Sequence, residues 1–87
     1  MRSGVQKFGD LMVDDTVLLD PEYLDGAIVG VRDHRVLYDY DLLVQAFQDN
    51  EDWTYEDAVE WVQYNTMRAL PYMGKLGPLV LEVEDFD

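Results

Sequence analysis

The apolar positions of this chain fall into short blocks whose spacing separates strands from helices. Ala27-Ile28-Val29-Gly30-Val31 is a β-branched run bounded by Gly26 and Asp33, which reads as a strand. Val36-Leu37-Tyr38 follows after the polar connector Arg32-Asp33-His34-Arg35, and a connector of that length predicts an antiparallel hairpin. Asp33 and His34 would occupy the turn, although neither is the glycine that an unstrained tight turn prefers. Tyr40, Leu43, Val44 and Phe47 then recur at helical spacing, predicting a short helix over 41–49, capped by Asp39 or Asp41 and ended by Asp49-Asn50.

The clearest period lies further on. Ala58, Val59, Val62, Thr66, Ala69 and Leu70 repeat at i, i+3, i+4, with Trp61 and Tyr64 widening the stripe on one flank. Glu56, Glu60, Gln63 and Met67 fall away from its centre. Thr54 is a good N-cap, Asp57 holds the reciprocal capping position, and Glu56 and Asp57 complement the dipole of the first turn. Pro71 stops this helix, because the residue before proline is driven out of the α region. After the loop 72–77, Pro78-Leu79-Val80-Leu81-Glu82-Val83 predicts a last strand with Pro78 at its permitted first position.

Residues 1–18 show the least pattern. Leu11-Met12-Val13 and Val17-Leu18-Leu19 suggest two short extended pieces around Asp14-Asp15-Thr16, and residues 1–19 are expected to be loosely ordered. Asp20-Pro21 breaks the chain, leaving Glu22-Tyr23-Leu24 at most one helical turn. The order β-β-α-α-β after an irregular N-terminal segment predicts one α+β domain over 1–87, a small antiparallel sheet with two helices packed on one face. Within it, Val59, Val62, Thr66 and Ala69 are expected to face Ile28, Val31 and Val80.

Composition narrows the classes of function. The chain has 87 residues, close to the size below which a core struggles to hold a fold alone, so a homodimer stays open. Its 48% hydrophobic content excludes a disordered acidic tail. The absence of cysteine excludes disulfides, thiolate metal sites and cysteine nucleophiles, and in so small a domain it favours a reducing compartment. Residues 1–8 lack the apolar segment of a signal peptide, and no apolar run approaches the roughly 20 residues that span a bilayer. The expectation is a cytoplasmic protein that does not enter membranes. Nineteen Asp and Glu against six Lys and Arg give a formal net charge of −13, which repels nucleic acid and anionic membranes and attracts basic surfaces. The charge is either a solvated acidic surface or the complement of a basic groove on a partner.

The segments Asp25-Gly26-Ala27-Ile28-Val29-Gly30-Val31, Val36-Leu37-Tyr38-Asp39-Tyr40-Asp41 and Thr54-Tyr55-Glu56-Asp57-Ala58-Val59-Glu60-Trp61-Val62-Gln63-Tyr64-Asn65-Thr66, in that order and spacing, resemble a family of small uncharacterised bacteriophage proteins. The resemblance covers about residues 25–83. It implies a phage-encoded protein made in the cytoplasm of a bacterial host, and it brings no activity, ligand or catalytic residue with it.

No motif supplies catalytic chemistry. His34 is the single histidine, and acid–base or metal work would need partners converging on a turn residue. The run Asp49-Asn50-Glu51-Asp52 into Glu56-Asp57 has Trp53 at a ligand position and no glycine, so it reads as a helix–helix linker rather than a calcium loop. Phosphate-binding glycine loops, serine-nucleophile motifs and two-histidine metal motifs are absent. A non-enzyme without cofactor or metal is expected. The aromatics are more informative, since Trp53, Trp61, Tyr64 and Tyr72 stand beside acids and cannot all enter so small a core; they either widen the core stripe or mark an interaction surface. The candidate partner-binding residues are Glu51, Asp52, Trp53, Glu56, Asp57, Glu60 and Trp61, with the tail at 82–87 adding charge. Two classes of function follow. One is a protein-binding module that engages a basic protein, such as a host nucleic-acid-binding protein, by imitating nucleic acid rather than binding it. The other is a structural or assembly protein that forms a homo-oligomer or packs on a phage component.

Overall fold

The computed structural model describes residues 3–82. Strand β1 (Ile28–Arg32) turns through Asp33 and His34 into β2 (Arg35–Asp39), with Arg32 opposite Arg35. Both turn residues take left-handed backbone angles, φ 52° and 65°, the twist that a two-residue hairpin loop requires. A non-glycine residue meets steric resistance there, least for short polar side chains such as Asp. A register shift between Ile28 and Gly30 places Ile28 opposite Tyr38 and Val31 opposite Val36. That bulge puts two residues of odd spacing, Ile28 and Val31, on the same side of the sheet.

The chain next forms helix α1 (Ser3–Phe8) at its start, α2 (Tyr40–Glu51) after β2, and α3 (Tyr55–Trp61). Asp39 is the α2 cap, its carboxylate accepting the Leu42 N–H at 2.9 Å. Asp52 ends α2 in the left-handed conformation, φ 58°, the usual geometry for reversing out of a helix. Thr54 caps α3 by accepting the Asp57 N–H at 3.2 Å.

Beyond Trp61 the helix widens into a π-helical stretch, Val62–Met67, and the chain reaches a short 3₁₀ turn at Leu70–Tyr72 that contains Pro71. Each residue advances a helix by about 100°, so a π turn, one residue longer, rotates everything after it. Ala58 and Val62 are buried, and Met67, five residues on, packs against the core. The expected stripe therefore holds as far as Val62 and is then re-phased. Thr66, Met67 and Ala69 are all half-buried, and Met67, placed off the stripe by strict α-helical spacing, packs against the core.

Strand β3 (Leu79–Leu81) joins β2, giving the order β1-β2-β3 with β2 central. The α+β class stands, but the sheet is mixed rather than wholly antiparallel, because β3 runs parallel to β2 with Leu37 opposite Leu79. Parallel neighbours need a long crossover. Here α2, α3 and the loop after them return the chain to the end of the sheet where β2 begins, and the Arg35 Nε–H donates to the Gly77 carbonyl at 2.8 Å. Val36 and Tyr38, fully buried, share one core cluster with Leu43, Val44 and Phe47 of α2, Ala58 of α3 and Val62 of the π stretch. The alternating Leu37 is only half-buried, so the helices cover one face of the sheet.

The N-terminal segment departs most from its sequence pattern. The turn at Asp14-Asp15 forms as expected, with the Thr16 N–H bonded to the Val13 carbonyl at 3.0 Å. Helix α1 forms where the pattern predicts loose order, and a 3₁₀ helix spans Glu22–Ala27 rather than a single turn at 22–24. Long-range bonds hold this region. The Gly4 N–H donates to the buried Asp25 carboxylate at 3.0 Å, the Val17 N–H to the Leu76 carbonyl at 3.1 Å, and the Leu19 N–H to the Tyr38 hydroxyl at 2.9 Å. Gly4 permits that approach, since a Cβ there would lie 2.6 Å from Ile28 Cδ1.

Candidate functional site

Helices α2 and α3 meet at an elbow, Asp52-Trp53-Thr54, and four aromatic rings gather around it. Phe47 of α2 is buried and carries the others: Trp53 stacks on it at 5.6 Å, and Tyr23 meets its edge at 5.9 Å. Trp61 lies 6.4 Å from Phe47 and 5.4 Å from Trp53. Such contacts between rings are worth about 0.5–1.5 kcal/mol each beyond burial, enough to fix the elbow's shape. Further along, Tyr64 points outward with the Arg68 guanidinium 4.7 Å from its ring. The Gln63 amide donates to the Tyr40 hydroxyl at 3.1 Å and ties the π stretch to α2.

The Trp53–Trp61 pair is a ridge between two grooves. On one side a groove of about 320 Å³ is lined by Trp53, Asp57, Glu60, Trp61, Tyr64 and Asn65. On the other, an open hollow of about 230 Å³ is bordered by Tyr23, Phe47, Trp53 and Trp61, with Asp20 and Glu51 among its lining residues. A third, more open groove shares Glu60 and Tyr64 with the first and adds Glu56, Val59 and Arg68.

Most of the residues expected at a partner surface therefore do come together. Trp53 and Trp61 sit at the centre, Asp57 and Glu60 on one side, Glu51 on the other, and Glu56 at the far groove. Asp52 is the exception, being exposed at the elbow and lining none of the three. Trp53 is half-buried, so it supports the surface more than it presents one, whereas Trp61 is 45% and Tyr64 58% exposed. Tyr72, 90% exposed, stands apart. Of the acidic tail, residues 83–87 lie outside the described residues.

Sequence reasoning missed Tyr23 and Asp20. They lie in the break after Leu19, about thirty residues before the elbow, and no periodicity links them to it. Tyr23 donates its hydroxyl hydrogen to Glu51 Oε2 at 2.7 Å across 28 residues of sequence. Burial, the hydrogen bond and the charge of Glu51 together push its pKa from 10.0 up to about 12. His34 is exposed in the hairpin turn, its Nδ1 3.2 Å from the Leu11 carbonyl. Among the described residues no three His, Asp or Glu side chains are grouped to hold a metal ion, and no helix is long and apolar enough to cross a membrane.

The fold and site define a small α+β domain with an aromatic ridge bordered by carboxylates. The chain matches no protein-family model, no curated protein and no solved structure.

Proposed function

We propose that the chain is a protein-binding module whose acidic surface along α3 engages a basic surface on a partner. One observation carries this reading: Trp61 and Tyr64, each about half exposed, border a groove that Asp57 and Glu60 also line. Exposing large rings forgoes roughly 25 cal/mol for each Å² left in water, and Trp and Tyr ringed by charge are the residues that anchor interfaces. The net charge of −13 sets the partner's sign. With the resemblance to bacteriophage proteins, the reading makes that partner a bacterial host protein, and the carboxylates of α3 stand in for nucleic-acid phosphates. It is a binding role without catalysis.

The test is capture of partners from bacterial lysate at low and high salt, followed by titration of variants. Charge reversal at Glu56, Asp57 and Glu60 should cost far more affinity than reversal at Asp14 and Asp15, and wild-type binding should weaken steeply with salt. Equal losses at the two places would show that net charge alone matters.

A second reading has an observation of its own. Leu37, Leu79 and Leu81 alternate with the core-facing residues of β2 and β3, and Leu81 is 43% exposed. A second copy, or an assembly component, packed on this face would make the chain a structural protein. Light scattering during size-exclusion chromatography separates the two readings: a stable dimer weakened by Leu81→Lys favours assembly.

A further inference from the structure

We propose that the pocket between the 3₁₀ helix Glu22–Ala27 and the α2–α3 elbow receives the guanidinium of a partner's arginine side chain. This deepens the binding role above, which supplies the basic partner, and it names what that partner inserts.

The pocket, about 230 Å³, is walled by Tyr23, Phe47, Trp53 and Trp61. Its aromatic floor is rigid, because Phe47 is buried with Trp53 stacked on it at an interplanar angle of 14°. Aromatic faces attract cations through their quadrupole. Glu51 lines the same pocket and is held there by the 2.7 Å hydrogen bond it accepts from Tyr23. Asp20 lines it too.

Helix polarity adds an independent reason for a cation. Glu51 is the last residue of α2, a helix of twelve residues with no basic side chain in its final turn. The C-terminal end of a helix carries partial negative charge that Lys or Arg usually offsets. Here Asp49, Glu51 and the capping Asp52 increase it instead. The pocket thus joins an aromatic wall, a positioned carboxylate and the end of a helix dipole that no basic residue of the last turn offsets.

Guanidinium fits this setting better than ammonium. It is flat, stacks on rings, is less strongly hydrated and offers several N–H donors to a carboxylate. On the neighbouring groove the chain's own Arg68 already lies over Tyr64 at 4.7 Å, the same pairing made intramolecularly.

The experiment uses the full chain and three blocked tripeptides, Gly-Arg-Gly, Gly-Lys-Gly and Gly-citrulline-Gly. Citrulline keeps the shape of arginine without its charge. The chain's two tryptophans give two indole N–H signals in an NMR correlation spectrum, assigned with Trp53→Phe and Trp61→Phe. The arginine peptide should shift both signals saturably in the millimolar range, with the lysine peptide weaker and citrulline inert. Glu51→Gln, checked for an otherwise unchanged spectrum, should weaken the arginine peptide about threefold, as loss of one partly exposed ion pair does. Asp14→Asn, in the turn before Thr16 and lining none of the three grooves, should leave it unchanged. Equal responses to arginine and citrulline, equal responses to arginine and lysine, or indifference to Glu51→Gln would each overturn the proposal. A basic protein partner that binds wild type and Glu51→Gln alike would overturn it while the proposed function stands. An arginine peptide that binds in the absence of any such partner would support it while the proposed function falls.

Discussion

Tyr23 shows how one side chain joins distant parts of the chain. Its hydroxyl reaches Glu51 at 2.7 Å while its ring meets the edge of Phe47, so it ties the 3₁₀ helix before β1 to the end of α2. Desolvation first, then the hydrogen bond and the carboxylate's charge, raise its pKa to about 12, whereas in the unfolded chain it ionises near the ordinary tyrosine value of 10.0. The folded state therefore holds the phenolic proton more tightly than the unfolded state does. The stability gained is fully present below about pH 10 and is lost as pH rises to about 12. The check is urea unfolding from pH 8 to pH 12 for wild type and Tyr23→Phe. The variant should be less stable by about 0.5–1.5 kcal/mol at pH 8, the worth of an ordinary hydrogen bond. The gap should close at the alkaline end.

At the scale of elements, the α2–α3 elbow is built by its caps. Asp52 takes the left-handed angle that ends α2, and Thr54 satisfies one of the N–H groups that α3 leaves without an intrahelical partner. Replacing Thr54 with Ala should destabilise the domain by about 0.5–2 kcal/mol, read from the urea midpoint with the slope unchanged. An unaltered midpoint would mean that packing of the rings, rather than the cap, sets where α3 begins. The π stretch after it has a clear consequence for the site. It turns Met67 toward the core while Tyr64, within the stretch, stays in the solvent beside Trp61.

The whole molecule carries its charge in a small volume. Its principal extents are 34 × 29 × 27 Å, comparable with the screening length of about 30 Å at 0.01 M salt, so at that ionic strength the carboxylates repel one another across the fold. At about 1 M the length falls to about 3 Å and the repulsion is confined to neighbours. Adding sodium chloride should therefore raise the urea midpoint. Partner binding should move the other way, weakening with salt. These opposite slopes separate a charge that burdens the fold from one that serves recognition.

The sequence alone determined whatever depends on neighbours along the chain. The hairpin over β1 and β2, the two capped helices, the turn at Asp14-Asp15 and the clustering of Trp53, Glu56, Asp57, Glu60 and Trp61 were legible because each follows from local backbone preference and side-chain spacing. Tertiary structure decided what depends on contacts between distant residues. The parallel pairing of β3 follows from the route taken by α2 and α3, which no property of Leu79-Val80-Leu81 encodes by itself. Met67 joins the half-buried Thr66 and Ala69 because one widened turn adds a residue after Val62, so that packing against the core extends past the positions a fixed 3.6-residue period marks. The ordering of Ser3–Phe8 depends on Asp25, twenty-one residues after Gly4, and the pocket at the elbow depends on Tyr23, twenty-eight residues before Glu51. Local propensity sees only a few residues at a time, whereas burial and long-range hydrogen bonds are settled once the whole chain has closed on itself.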